Sequence, residues 1–324
     1  MRLISALAVL VVSFVLVACD DGLNHDILDS KQAVLAIVSE KLESVPGSED
    51  GLGTGFFIDE NVIITNKHVV EKAGVLKVAN EKGSEFYEAE VINADSVADI
   101  AVIKIKDWEK YKKENSWRIL KLAHPDDVEV TQQVYAIGHP WGLVWSVSKG
   151  IVSAVDRKPT ATPKILLQVD AHVFQGNSGG PLLNERGEVL GINSLMISQN
   201  GGSYGFAAPV KLIEKVLRDF EKHDGQVRWA FLGIKLKESE VAEVTPESAA
   251  EKAGIQKDDK IIEFTTSDGT FSVKEKNLAV AMATHDPDLP VKVVLERAGE
   301  RLELSIEPTW KDSETVVAET SSQP

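Results

Sequence analysis

A serine, a histidine and an aspartate stand far apart in this chain, each in a setting that suits one part of nucleophilic catalysis. Ser178 lies in Gly176-Asn177-Ser178-Gly179-Gly180-Pro181. Glycines on both sides permit a tight turn that exposes the hydroxyl and lets a peptide approach closely. In such a turn the Gly176 and Ser178 amides are the natural donors to a carbonyl oxygen under attack. A serine is a weak nucleophile alone and needs a base. His68 follows an apolar run, in Thr65-Asn66-Lys67-His68-Val69-Val70. A carboxylate must then hold the imidazole in one tautomer, and Asp99 stands at the lip of Ile100-Ala101-Val102-Ile103. Singly, each has a plainer explanation: a loop, a structural histidine, a turn aspartate. Together, the order His68, Asp99, Ser178 matches a known triad order, the one found on two-barrel β proteases.

The elements around these residues suit that setting. From about Val34 to Ala208 the chain reads as short strands separated by turn signals. Examples are Gly55-Phe56-Phe57-Ile58, Val62-Ile63-Ile64-Thr65, Val134-Tyr135-Ala136-Ile137 and Val189-Leu190-Gly191-Ile192. Such β-branched runs, punctuated by Gly, Pro, Asn and Asp, argue a barrel or sandwich. Pro209–Lys222 has helical spacing, with Leu212, Ile213, Val216, Leu217 and Phe220 on one stripe. A polar linker follows, and residues 230–308 mix strands and helices. The expected class is mainly β, a double β-barrel followed by an α+β unit. The expected division is a leader over 1–18, a tether over 19–32 and a catalytic domain over 33–222. A linker over 223–229, a second domain over 230–310 and a disordered tail over 311–324 complete it.

Composition narrows the function. The 324 residues suggest about two domains at ~150 residues each. Hydrophobic residues at 43% and charged residues at 26% argue against a disordered, collagenous or polytopic membrane chain. Lys+Arg 35 against Asp+Glu 50 gives −15, a poor balance for gripping a nucleic acid. The single cysteine, Cys19, excludes internal disulfides and multi-cysteine metal sites. Seven histidines show no ligand spacing, so neither metal nor other cofactor is expected.

The N-terminus reads as an address. Arg2 precedes an apolar run from Leu3 to Ala18, shorter than the ~20 residues a spanning helix prefers and laid out like a secretory signal. Leu16-Val17-Ala18-Cys19 resembles a bacterial lipobox, which implies lipidation of Cys19 and a membrane anchor. Asp20 after it resembles the signal that retains lipoproteins at the inner membrane.

Residues 50–210 resemble the HtrA/Deg family of trypsin-like serine proteases. Besides the triad strings, Gly53-Thr54-Gly55-Phe56-Phe57-Ile58, Ala136-Ile137-Gly138-His139-Pro140-Trp141-Gly142, Gly150-Ile151-Val152-Ser153-Ala154, Gln168-Val169-Asp170-Ala171 and Gly205-Phe206-Ala207-Ala208-Pro209 match in family order. The resemblance implies His68 as general base, Asp99 as its orienter and Ser178 as nucleophile. It implies an oxyanion hole from Gly176, Asn177 and Ser178, and substrate contacts at His172, Gly205, Phe206 and Ala207. His139 stands where the family usually has asparagine. His172 stands where trypsin carries its specificity aspartate, so cleavage after small or medium apolar residues is expected.

Phe231-Leu232-Gly233-Ile234, Pro246–Gly254 and Asp258-Asp259 resemble a PDZ domain of the HtrA type. Phe231, Leu232, Gly233 and Ile234 match its carboxylate loop, which implies capture of hydrophobic C-terminal peptides. Asp258 stands where the family often has glycine. One such domain plus an anchor resembles the DegS branch, which implies a periplasmic homotrimer in protein quality control under stress, acting on unfolded or regulatory proteins without ATP. Arg157 is the regulatory candidate of that resemblance. The competing expectation is a PDZ-based chaperone or peptide-sensing scaffold with a silent triad.

Overall fold

The computed structural model describes residues 25–321 apart from 45, 46, 48, 81, 84, 141–144, 159–164, 200, 201 and 275. The leader, Cys19, Asp20 and Trp141 lie outside the described residues. Among those described, no helix is long and apolar enough to cross a membrane.

Helix α1 (His25–Asp29) and a 3₁₀ turn over Ser30–Ala33 open the chain. Ile27 and Ser30 are buried, and Ser30 Oγ donates to the Ile27 carbonyl at 2.6 Å. The segment read from sequence as a tether is therefore packed onto the body from His25 onward. Burial of the apolar Ile27 is the reason, while its neighbour Leu28 stays exposed.

Strands β1 (Val34–Glu40), β2 (Gly51–Asp59), β3 (Val62–Thr65), β4 (Val75–Ala79), β5 (Phe86–Asp95) and β6 (Ile100–Ile105) form the first barrel, closed in the order β1-β2-β3-β6-β5-β4. Helix α2 (Lys67–Val70) leaves β3, and α3 (Trp108–Glu114) follows β6. Strands β7 (Gln133–Gly138), β8 (Ser146–Arg157), β9 (Leu166–Val169), β10 (Pro181–Leu183), β11 (Val189–Gln199) and β12 (Gly202–Pro209) close the second, in the order β10-β11-β12-β9-β8-β7. Closure leaves no open strand edge.

The period-2 pattern of β2 explains how the barrels join. Successive strand residues point to opposite faces. Phe57 enters the first barrel's core with Ile37, Ile63 and Tyr111. Phe56 faces the other way, into the layer between the barrels with Ile137, Leu183 and Ile192. Both phenylalanines are fully buried, each contributing roughly 1.5–3 kcal/mol from removed apolar surface.

Helix α4 (Val210–Lys222) begins where β12 ends. Leu212, Ile213, Val216 and Phe220 are buried on the inter-barrel core, as their spacing predicts, with Leu217 packed against it. Pro209 sits one position before the first turn, as the N-cap, where a missing N–H costs nothing.

The second unit contains β13 (Trp229–Phe231), β14 (Ile234–Lys237), β15 (Glu240–Val244), β16 (Lys260–Thr266), β17 (Gly269–Ser272), β18 (Val291–Arg297), β19 (Glu300–Ile306) and β20 (Thr309–Lys311). The sheet runs β14-β15-β16-β18-β19, with β17 on β16, and β13 pairs β20. Helices α5 (Ala249–Lys252) and α6 (Leu278–Met282) cover a core of Leu232, Val241, Phe264, Val291 and Ile306. Ser248 Oγ caps α5 through the Glu251 amide, and Gly254, at φ +86°, ends it.

Two boundaries differ from the sequence reading. Val227 and Trp229, placed in the linker, are buried between the barrels and the second unit. Residues 311–321 are not a disordered tail. Lys311 ends β20, and Ser313–Ser321 form helix α7. Val316 packs on the core, and Ser313 bonds Asp95 and Trp229. These long-range contacts order a segment whose own composition does not.

Candidate active site

The end of β3, the start of β6 and the β9–β10 loop meet where the two barrels touch. His68 lies in α2, just past β3. Its Nδ1 is 2.8 Å from Asp99 Oδ2, and its backbone amide donates to Asp99 Oδ1 at 3.0 Å. The Asp99 side chain is 7% exposed, against 44% for His68. The carboxylate is thus the buried, fixed partner and the imidazole the accessible one. Asp99 adopts φ +59°, a left-handed conformation that aspartate tolerates better than most residues. Its carbonyl accepts from the Lys67 amide at 3.1 Å and Asn66 Nδ2 at 2.9 Å. These bonds hold the strained turn in place.

The Ser178 loop is clamped from both barrels. The Thr54 amide in β2 donates to the Ser178 carbonyl at 2.9 Å, and Thr54 Oγ1 donates to the Gly176 carbonyl at 2.6 Å. On the other side, the Gly179 amide donates to the Asn193 carbonyl at 2.8 Å. Gly176 has φ +99°, and a Cβ there would lie 2.4 Å from the His139 carbonyl oxygen. Ser178 Oγ donates to the Ser194 carbonyl at 3.1 Å. Ser194 Oγ in turn donates to Asp99 Oδ2 at 3.3 Å. His68 and Ser178 are therefore linked to Asp99, the first directly and the second by way of Ser194.

Comparison with known proteins agrees. Residues 53–192 match the trypsin-like peptidase domain. The serine endoprotease DegS of Haemophilus influenzae is 32% identical over 273 residues, covering 79% of this chain and 76% of that protein. The chain belongs to the HtrA/Deg family of serine proteases.

Three other proteins are similar to this HtrA/Deg chain. It is 33% identical to a probable periplasmic DegP-like serine endoprotease of a Marinomonas strain, covering 86% of this chain and 61% of that protein. It thus spans about three fifths of the length of that relative. The crystal structure of a serine endoprotease from Yersinia pestis superposes with TM-score 0.64 at 28% identity, covering 89% of this chain and 98% of that one. The HtrA-type protease AlgW with a tripeptide gives TM-score 0.69 at 26% identity, covering 89% and 97%.

Other HtrA/Deg positions named from sequence fall in different settings. His172 is exposed, its ring stacked on Phe174 at 5.6 Å and its amide bonded to Ser148 Oγ at 2.7 Å. Phe206 and Ala207 lie in β12 with side chains in the packed cores. Gly205 leaves open the space that a Cβ would fill beside the Ala171 carbonyl and Val173. His139 is buried, and desolvation pushes its imidazole down to about 4; its Nδ1 is 3.3 Å from Thr54 Oγ1. Thr54, Asn66 and Ser194 escaped the sequence reading. Thr54 and Asn66 fall inside matched strings but have side chains with several ordinary uses, and Ser194 follows Val189–Ile192 without any motif.

The second unit of this HtrA/Deg chain, with Val97 and Lys158 of the barrels, lines a cavity of about 450 Å³ away from Ser178. Phe231, Leu232, Gly233 and Ile234 line one wall, and Leu278 and Met282 of α6 line another. Gly233, at φ +84°, has no room for a Cβ against Ser248. Arg157, the regulatory candidate, ends β8 and is exposed. Its neighbour Lys158 is the residue that lines the cavity. Asp95, four residues before Asp99, accepts from Trp229 Nε1 at 3.3 Å and from Ser313 Oγ. Burial pushes its carboxyl upward against the hydrogen bonds it accepts.

Proposed function

We propose that this chain is a periplasmic serine endopeptidase whose second unit, a PDZ domain, binds hydrophobic peptide C-termini and regulates cleavage. The observation that carries this reading is the His68–Asp99 pair, 2.8 Å apart, beside a Ser178 loop held by both barrels. His68 Nε2 takes the Ser178 proton as Oγ attacks the scissile carbonyl. The oxyanion is held by the Gly176 and Ser178 amides at the Asn177 turn. His68 then donates its proton to the leaving amine, and water hydrolyses the acyl-enzyme. In the present conformation the Ser178 hydroxyl is turned to the Ser194 carbonyl. A rotation about its Cα–Cβ bond delivers it to His68, the tightening expected once substrate is bound. That same hydroxyl position is what favours a resting triad and the scaffold alternative.

The loop geometry supports peptide capture. The Leu232 and Gly233 carbonyls accept from the Ala250 and Thr245 amides at 2.9 and 2.8 Å. The carbonyls are thus turned into the domain, leaving the loop's amides for a terminal carboxylate. Structures of the similar AlgW hold a tripeptide or a decapeptide. Relatives named periplasmic support the compartment. Cleavage before Cys19 and lipidation of its thiol would anchor the chain, with Asp20 retaining it at the inner membrane. A homotrimer is the expected assembly, and unfolded or regulatory proteins are the expected substrates.

The test compares turnover of casein and of a fluorogenic peptide by the wild type and by Ser178→Ala. Turnover lost in the variant is expected, with a fluorophosphonate labelling Ser178 only in the wild type. Equal turnover by both overturns the protease reading. Peptides with hydrophobic C-termini should raise the wild-type rate, and an unchanged rate speaks against PDZ control. Replacing Cys19 by serine should move the protein from the membrane fraction to the soluble one.

A further inference from the structure

We infer that Lys158 makes the cavity selective for peptide ends carrying two carboxylates, the α-carboxylate and a Glu or Asp side chain on the residue before the last. The inference rests on the reading of that cavity as a peptide site.

The cavity is built by two parts of the molecule. The Phe231–Ile234 loop and α6 belong to the second unit, whereas Val97 and Lys158 come from the barrels. Two charged residues, Lys158 and Lys311, are among the described lining, and no carboxylate is. That is an unusual wall for a chain with net charge −15. Lys311 is already placed: its Nζ lies 3.5 Å from the centroid of the Phe231 ring. Phe231 begins the loop that would hold the α-carboxylate, so Lys311 adds its charge there. Lys158 stands on the barrel side, and no carboxylate lines the cavity beside it among the described residues. The last side chain of a bound peptide belongs against the apolar wall of Leu232, Leu278 and Met282. The second negative charge must then come from the preceding residue.

The energetics favour such a partner. The Lys158 side chain is exposed as a whole, yet desolvation holds its ammonium below its ordinary range, and an ammonium in that state without a counter-charge is penalised. A ligand carboxylate removes that penalty and gains a charge-assisted hydrogen bond. A neutral side chain gains neither, so the lysine discriminates by charge. The pair would also cross from ligand to barrel. A peptide making it touches both units at once, two residues from Asp156 and its bond to Lys211 of α4 at 2.6 Å.

The experiment uses the full Ser178→Ala chain, which cannot consume its ligand, and fluorescence anisotropy of labelled peptides. The peptides end in an apolar residue preceded by Glu or by Gln. The expected result is about tenfold tighter binding of the Glu peptide, equivalent to ~1.4 kcal/mol. That preference should shrink in 0.5 M salt, on the order of a 4 Å screening length. Lys158→Met should abolish the preference, and Lys158→Arg should retain it. Equal affinity for both peptides on the Lys158 chain overturns the inference while leaving the peptide site standing. Binding of neither peptide overturns the peptide site itself, and the inference with it. The Glu–Gln comparison is made on one folded protein, so it does not depend on how the variants fold.

Discussion

Ser194 and His68 share one oxygen of Asp99. Ser194 Oγ donates to Oδ2 at 3.3 Å, and His68 Nδ1 lies 2.8 Å from the same atom. The carboxylate is therefore held by a hydroxyl from the second barrel while it bonds the imidazole carried by the first, the proposed base. Ser194→Ala should leave the fold intact and reduce kcat/KM roughly five- to tenfold, the worth of about one hydrogen bond near 1 kcal/mol. Asp99→Asn should cost on the order of 10⁴, because the tautomer is lost. Steady-state kinetics across pH check both. An unchanged kcat/KM in Ser194→Ala would show that the shared oxygen does not matter.

Gly176 should tolerate no side chain. Its φ of +99° and the 2.4 Å approach of the His139 carbonyl oxygen require the peptide to move if a Cβ is added. Gly176→Ala should displace the amide proposed as an oxyanion donor and lower kcat by roughly 10²–10³. The labelling rate of Ser178 by a fluorophosphonate, set beside the thermal midpoint, separates loss of the donor from loss of the fold.

His139 gives the fold an acid limit. Its imidazole is neutral when buried and held down to about 4, against an ordinary 6.5. Between those values the unfolded chain binds the proton and the folded one does not. Stability therefore falls as pH drops from about 6.5 toward 4, by at most ~1.4 kcal/mol per pH unit. His139→Asn removes the titrating group and should flatten that part of the profile. Urea midpoints at pH 7 and pH 5 measure it, and an equal drop in both proteins would refute the assignment.

Asp258 occupies a position suited to glycine. It has φ +70°, and its amide donates to the Val241 carbonyl at 2.9 Å. Asp258→Gly relieves the left-handed conformation but loosens the unfolded chain. The balance should favour the variant by ~0.5–1 kcal/mol. Asp258→Val, β-branched in the same conformation, should be distinctly less stable. Chemical denaturation of the three proteins gives the order.

Lys215 and Asp219 form an ion pair in α4 with side chains 1% and 4% exposed, 2.8 Å apart. Lys215 Nζ also donates to the Arg228 carbonyl at 2.8 Å, and the Arg228 amide donates to Asp219 at 3.2 Å. Asp219→Ala leaves a buried ammonium without its partner and should cost about 3–5 kcal/mol. The double change to Lys215→Met and Asp219→Leu should recover much of that loss. A double-mutant cycle in urea reports the coupling.

The strands and the long helix were legible because their signals are local. Val62–Thr65, Ile100–Ile103 and Val134–Ile137 carry β-branched runs and lie in β3, β6 and β7. The α4 stripe repeats at helical spacing and meets the inter-barrel core. The triad types were legible because each stands in a distinctive string. Ser194, Thr54 and Asn66 were not, since small polar residues near strand ends have many ordinary uses. Helix α7 was missed for a related reason. Its residues SETVVAETS have little apolar content, and what fixes them is contact with Asp95 and Trp229, more than eighty residues earlier.

Local order thus followed from neighbours within one turn or one strand pair, where side-chain period decides which face is apolar. The amino-acid order by itself determined a long run of β-strands ended by an amphipathic helix, and a later α+β unit. It also determined which serine, histidine and aspartate have chemical settings. Tertiary structure alone decided that Asp99 faces both His68 and Ser194, that Thr54 pins the Ser178 loop, and that Lys158 enters a cavity of the other unit. Those partners lie 31 to 124 positions apart where they are bonded. No local preference reaches that far; only closing the barrels and burying Phe56 between them brings the groups within hydrogen-bonding distance.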